Sequence, residues 1–172
     1  MRAIGRMTCI CILLTLTACE KSGKLVPLLP AAPPGWSVEG QPANQSVSGL
    51  GYSSMRSYIP SVNTPGSKIQ RVKVQILVAN KDAQKKDLSK MFLGSQAGFW
   101  EQTTVNGFKA SDSFTVSGER YSLVVYPSST TYVQIIAYSA SAELDNDAID
   151  QGKEMVKTFA DKINFTQIAA LK

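Results

Sequence analysis

The stretch Lys68-Ile69-Gln70-Arg71-Val72-Lys73-Val74-Gln75-Ile76-Leu77-Val78-Ala79 decides the fold class. Val72, Val74, Ile76 and Val78 alternate with Arg71, Lys73, Gln75 and Leu77. Side chains of a strand point to opposite faces in turn. A period of two with one apolar row therefore predicts a half-buried antiparallel strand.

Reading toward the N-terminus, Asn63-Thr64-Pro65-Gly66 is a turn signal. Residues 50–59 have strand composition, with Tyr52, Met55 and Tyr58, and stop at Pro60. Residues 41–48 are polar and read as a loop. Gly35-Trp36-Ser37-Val38 reads as the first strand. Toward the C-terminus, residues 82–99 read as a helix. Asp82 is its N-cap, and Leu88, Met91, Phe92 and Gln96 fall at helical spacing, with Gly94 and Gly98 weakening the second half. Asn106-Gly107 lies between Thr103-Thr104-Val105 and Phe108-Lys109-Ala110, the strongest short-range hairpin signal. Residues 114–116, 120–126 and 132–140 read as further strands, with turns at 117–119 and 127–129. Residues 145–163 form the clearest helix. Ile149, Gly152, Val156, Phe159 and Ile163 make one stripe, with Met155 and Ala160 beside it. Asp145, Asp147 and Asp150 crowd its start and Lys153, Lys157 and Lys162 its later turns, which suits the helix dipole. Asn164 breaks it, and residues 167–171 add a last short turn. The order predicts one α+β domain, an antiparallel sheet with helices packed on it, and no internal repeat.

The N-terminus carries a different signal. Arg2 and Arg6 precede a mostly apolar run of about ten residues, Met7 to Leu16. That is too short to span a bilayer, which needs about 20 residues. It suits the apolar region of a secretory signal, with a buried core helix as the alternative. Leu16-Thr17-Ala18-Cys19 resembles the bacterial lipobox. The resemblance implies a diacylglyceryl group on the Cys19 thiol, cleavage after Ala18 and acylation of the new amine. Several acyl chains on one residue anchor stably where one is marginal. Ordinary cleavage with Cys19 left free is the alternative. In the Gram-negative lipoproteins that this segment resembles, Asp after the cysteine retains the protein in the inner membrane. Glu20 therefore implies an outer-membrane lipoprotein carrying palmitate-type acyl chains, with its domain in the periplasm. The outer face of a plasma membrane is the alternative. The expected division is a signal peptide at 1–18, a lipidated Pro-rich tether at 19–34 and a domain at 35–172. Pro27, Pro30, Pro33 and Pro34 favour an extended path. Leu25, Val26, Leu28 and Leu29 are apolar enough for part of this stretch to dock on the domain.

Composition narrows the chemistry. The whole chain of 172 residues carries +5, which falls to +3 once Arg2 and Arg6 leave with the signal. This is not a nucleic-acid-binding balance. Lys85, Lys86 and Lys90 are the only local basic cluster, read as a solvated helix face rather than a lipid contact. Cys9 and Cys11 lie in the signal, so the folded part has no disulfide and rests on its apolar core. No histidine occurs. Ser-His-Asp and Cys-His catalysis are excluded, as are zinc and copper sites built on imidazole or thiolate.

Pro34-Gly35-Trp36, Val105-Asn106-Gly107-Phe108-Lys109-Ala110 and residues 163–171 resemble segments of small periplasmic lipoproteins of uncharacterised function. Such proteins look like the PsbP-type α/β/α sandwich, which implies helices on both faces of the sheet. The resemblance transfers no catalytic or binding residue and implies no cofactor.

Four groups of residues remain as site candidates. Glu143, Asp145, Asp147 and Asp150 could chelate calcium, but helix capping explains the same acids. Asp112, Glu119 and Glu101 lie near expected turns and could act as acid and base, although no pattern singles out a pair. Trp36, Trp100 and the six tyrosines could line a ligand face, or simply pack. Among them, Tyr126 beside Pro127 is expected at a strand end, facing outward. The reading is a non-enzymatic, membrane-anchored module that binds or supports another envelope component. The alternatives are a small-ligand or metal carrier with a pocket between sheet and helix, and a carboxylate-only hydrolase.

Overall fold

The stretch around Val74 lies one strand from the centre of a seven-stranded antiparallel sheet. A computed structural model describes residues 21–47, 50–62, 66–80, 100–115, 120–140 and 146–171. The strands are β1 (Trp36–Val47), β2 (Gly51–Pro60), β3 (Ile69–Ala79), β4 (Trp100–Val105), β5 (Phe108–Phe114), β6 (Arg120–Tyr126) and β7 (Thr131–Ser139). Their order across the sheet is β1-β2-β3-β7-β6-β5-β4. Two meanders, β1 to β3 and β4 to β7, thus meet at a β3–β7 seam. The seam pairs Val72 with Ala137, Val74 with Ile135 and Ile76 with Val133. The apolar row of β3 lies on one face, as its alternation predicts, and all of it is buried.

The hairpin forms where Asn106-Gly107 stands. Val105 faces Phe108, and Asn106 and Gly107 have φ of 50° and 82°. Both central residues of a type I′ turn need positive φ, and Asn-Gly tolerates it best.

Two expectations fail. Residues 41–48 were expected as a loop, yet β1 runs through Val47 with Ala43 opposite Met55 and Val47 opposite Gly51. The backbone, not the side chains, supplies the ladder bonds here. A bulge between Glu39 and Ala43 accommodates Pro42, which cannot donate to a ladder. Residues 108–110 and 114–116 were expected as separate strands. The structure has one strand, Phe108–Phe114, because Ser111 and Ser113 continue the pairing with Val124 and Ser122.

Helix α1 (Asn146–Ala160) covers the apolar face. Ala148, Gly152, Val156, Phe159 and Ala160 are its buried residues, close to the expected stripe. A turn at Asp161 and Lys162 ends it before the expected limit. Helix α2 (Phe165–Ala169) follows, with Asn164 Oδ1 accepting from Gln167 N at 3.0 Å. Phe159 packs edge-on against Trp36 and Tyr58, at ring separations of 5.7 and 4.7 Å. Each such side chain contributes about 1.5–3 kcal/mol by leaving water.

The segment before β1 belongs to the same core. Leu25 and Leu29 are buried in it, on either side of a short 3-10 turn (Val26–Leu28). Tyr58 Oη donates to the Pro30 carbonyl at 2.6 Å and Arg56 Nη1 to the same oxygen at 3.3 Å. Ser22 Oγ donates to the Gln45 carbonyl at 3.2 Å. The chain is therefore fastened to the β1–β2 end of the sheet from Ser22 onward.

The second face of the sheet is mixed. Leu77 and Val124 are buried there among Ser53, Ser111 and Gln134. Gln75 Nε2 donates to Ser53 Oγ and Gln134 Nε2 to Ser122 Oγ, and Lys73 Nζ sits 5.2 Å from the centre of the Tyr138 ring. The architecture is α+β, as expected. The helix expected at 82–99, the lysine cluster within it, the turns at 63–65 and 117–119 and all of residues 1–20 lie outside the described residues. Among the described residues no helix is long and apolar enough to cross a membrane.

Candidate binding cleft

A two-residue turn at 106–107 fixes the pairing of β4 with β5. Counting back from Val105 and Phe108 sets Glu101 opposite Asp112. Both belong to the face that carries α1. Asp112 also lies opposite Leu123 of β6, one step from Phe114 and Tyr121. On that face the β4–β5 edge is mixed, with Glu101, Thr103 and Asp112 set among Val105, Phe108 and Phe114, where the centre is apolar throughout.

Gly152 sets how near the helix comes. A Cβ at that position would stand 2.8 Å from Tyr121 Cβ, so only glycine permits this approach. The Tyr121 ring is buried beside the helix. Its hydroxyl reaches outward and donates to Asp112 Oδ2 at 2.6 Å. Burial, the bond to Asp112 and the negative charges of Asp112 and Glu101 all push the phenol well above its usual pKa. Tyr121 is thus a fixed donor, and it holds one Asp112 oxygen.

Two adjoining hollows flank this pair. One, about 300 Å³, is lined by Thr103, Val105 and Asn106 on the sheet side and by Lys153, Val156 and Lys157 on the helix side. The other, about 270 Å³, lies toward Glu101, Phe114, Ile149 and Asp150. Asp112, Tyr121 and Lys153 border both. Together they form one groove along α1. Its floor is apolar (Leu123, Val156, Ala160), its sheet wall carries acids and hydroxyls, and its helix wall carries two exposed lysines at i and i+4. Sites for small molecules begin at about this size and have this make-up, a greasy floor with few polar groups.

The candidates named from the sequence distribute unevenly. Asp112 and Glu101 come together in the groove. Glu119, Glu143 and Asp145 lie outside the described residues, as does the Trp100 side chain. Asp147 is exposed in the first turn of α1, and Asp150 lines the groove. Among the described residues no three His, Cys, Asp or Glu side chains gather to hold a metal ion. Trp36 and Tyr58 serve the core. Tyr126 does sit at the end of β6, but it is half-buried and packs edge-on against Tyr132 at 5.7 Å. From the sequence, Lys153 and Lys157 had only a part in the helix dipole and Thr103 only a place in the hairpin. The signal was available: the hairpin register and the α1 stripe together place them on facing walls.

The chain matches no protein-family model, no curated protein and no solved structure.

Proposed function

We propose that this protein is a lipid-anchored envelope lipoprotein whose domain is a non-enzymatic binding module, with the groove between α1 and the β4–β5 edge as its binding site. Residues 1–18 serve as the export signal, Cys19 carries the lipid, and Glu20 directs the product to the outer membrane with the domain in the periplasm. The partner is another envelope component, and no cofactor or nucleic acid is involved. The observation that carries the reading is the groove itself, whose lysines on α1 face the Tyr121–Asp112 pair across an apolar floor. A two-sided, PsbP-like sandwich is supported by the burial of Leu77 and Val124 on the second face.

Photo-crosslinkers at Thr103 and Lys153, introduced in cells and read by mass spectrometry, test the site. Both should yield the same adduct, and Lys153→Glu with Lys157→Glu should abolish crosslinking from Thr103. Crosslinks that survive the charge reversal would sink the assignment. The address is tested by Cys19→Ser, which should leave the domain folded but lose wild-type fractionation.

The volume of the groove favours one second reading, a carrier of a small polar molecule. Native mass spectrometry of protein taken from envelopes separates the two: a bound small molecule supports the carrier, and its absence beside a protein crosslink supports the module.

A further inference from the structure

Cys19 and Ser22 are three residues apart, and a fully extended chain covers about 11 Å over that distance. Ser22 is bonded to Gln45 in β1, near the end of the sheet where β1 and β2 meet. From there the chain is locked down through Leu25, Leu29 and Pro30. The proline-rich segment that composition suggests as a spacer therefore adds no reach. The sheet extends far beyond this point. Along β2, nine steps from Gly51 to Pro60 cover about 30 Å, and the six strand spacings from β1 to β4 cover about 29 Å. Lys21 and Lys24 are exposed on the fastened stretch, where cations suit anionic headgroups.

We infer that lipid on Cys19 seats the domain directly on the membrane by the β1–β2 corner, with Lys21 and Lys24 against anionic headgroups and the β4 edge, which bears the groove, held away from the bilayer. This inference rests on the lipid anchor proposed above but not on what fills the groove. The occupant of the corner is a phospholipid surface. The domain then cannot sweep the space beyond the membrane on a leash.

The test uses the full chain, lipidated in cells and reconstituted into phosphatidylethanolamine–phosphatidylglycerol vesicles containing a headgroup-quencher lipid. With Cys19 acylated, one introduced cysteine is the only thiol of the processed chain, so a fluorophore can be placed at a single site. Ser46→Cys reports the seated corner, Val62→Cys the far end of β2, and Gln102→Cys the β4 edge. The probe at Ser46 should be quenched several-fold more than those at Val62 and Gln102. A flexible Gly-Ser insertion of about 20 residues between Glu20 and Lys21 should level the three. Equal quenching without the insertion, or stronger quenching at Val62 or Gln102, overturns the seating while leaving the anchor intact. Failure of the wild-type chain to float with vesicles, together with an unmodified Cys19 by mass, overturns the anchor and the seating with it.

Discussion

Replacing Gly152 by alanine separates two opposed effects whose balance the structure decides. In an exposed helix the change stabilises by about 1 kcal/mol, because glycine has more backbone freedom to lose. Here the new methyl would stand 2.8 Å from Tyr121 Cβ, 3.5 Å from Tyr121 Cγ and 3.8 Å from Ala137 Cβ. Ordinary carbon contacts lie near about 3.5–4.0 Å, so α1 or β6 must yield by roughly 1 Å. Tyr121 Cβ is fixed to the backbone of a strand and cannot swing aside. Overpacking of this kind costs about 1–3 kcal/mol, which outweighs the propensity gain and leaves a net loss of roughly 1 kcal/mol. For a domain of this size, that lowers Tm by about 2–4 °C. Gly152→Val should lose more. Urea unfolding and calorimetry measure both, with Glu154→Ala on the exposed side of the helix as a control that moves by less than about 0.5 kcal/mol. A Gly152→Ala protein as stable as the wild type, or more so, would refute the close approach and the groove geometry built on it.

The other predictions probe the core and the ionisable groups. Leu25→Ala should cost about 2–5 kcal/mol by denaturant unfolding; a neutral result would mean that the N-terminal segment does not share the core. Tyr58→Phe removes the donor to Pro30 and should cost about 1–2 kcal/mol, measured the same way. Burial outweighs the opposing Arg56 guanidinium and pushes the Tyr58 phenol up to about 12 from an ordinary 10.0. A raised pKa means stability that is whole below pH 10.0 and lost as pH climbs toward 12. Tyr121 shifts in the same direction. Alkaline unfolding followed by phenolate absorbance should therefore begin later, and more gradually, in Tyr121→Phe. An unchanged alkaline limb in that variant and in Tyr58→Phe would show that neither ring is held neutral. Glu39→Gln should change stability by less than about 0.5 kcal/mol, because the Arg71–Glu39 pair at 2.9 Å is exposed at both ends.

What could be read in the sequence is what one strand or one helix determines by itself. The Val72 to Val78 alternation, the Asn106-Gly107 turn and the Ile149 to Phe159 stripe each carry their own geometry. The second half of β1 does not. Asn44, Gln45 and Ser46 have no apolar period, and only their partners on β2 make them a strand. The middle of β5 was obscured for a related reason. Ser111 and Asp112 face the two sides of the sheet and both are polar, so the apolar alternation lapses there. The groove was half legible. The hairpin register places Glu101 beside Asp112, but the bond from Tyr121 depends on β5 meeting β6 across a turn that spacing alone does not fix. The packing of Leu25 and Leu29 could be suspected from their apolarity, whereas the Pro30 carbonyl as the target of Tyr58 could not.

The β3–β7 seam has a consequence for the order in which the molecule assembles. Strand β3 carries the most apolar row of the sheet, and its partner across the seam begins more than fifty residues later, at Thr131. A chain that emerges from its N-terminus completes β1, β2 and β3 as a meander in which β3, an inner strand of the finished sheet, is a bare edge. That edge offers unpaired amides and carbonyls to any neighbouring strand until β7 arrives, and α1, which covers the same row, arrives later still. The long loop closure makes the step slow, so a chain that has made β1 to β3 but not yet β7 is open to pairing. Crowded chains should pair there with one another through β3, and a holding chaperone that covers this edge should raise the yield of folded protein more than one that acts after β7 has docked.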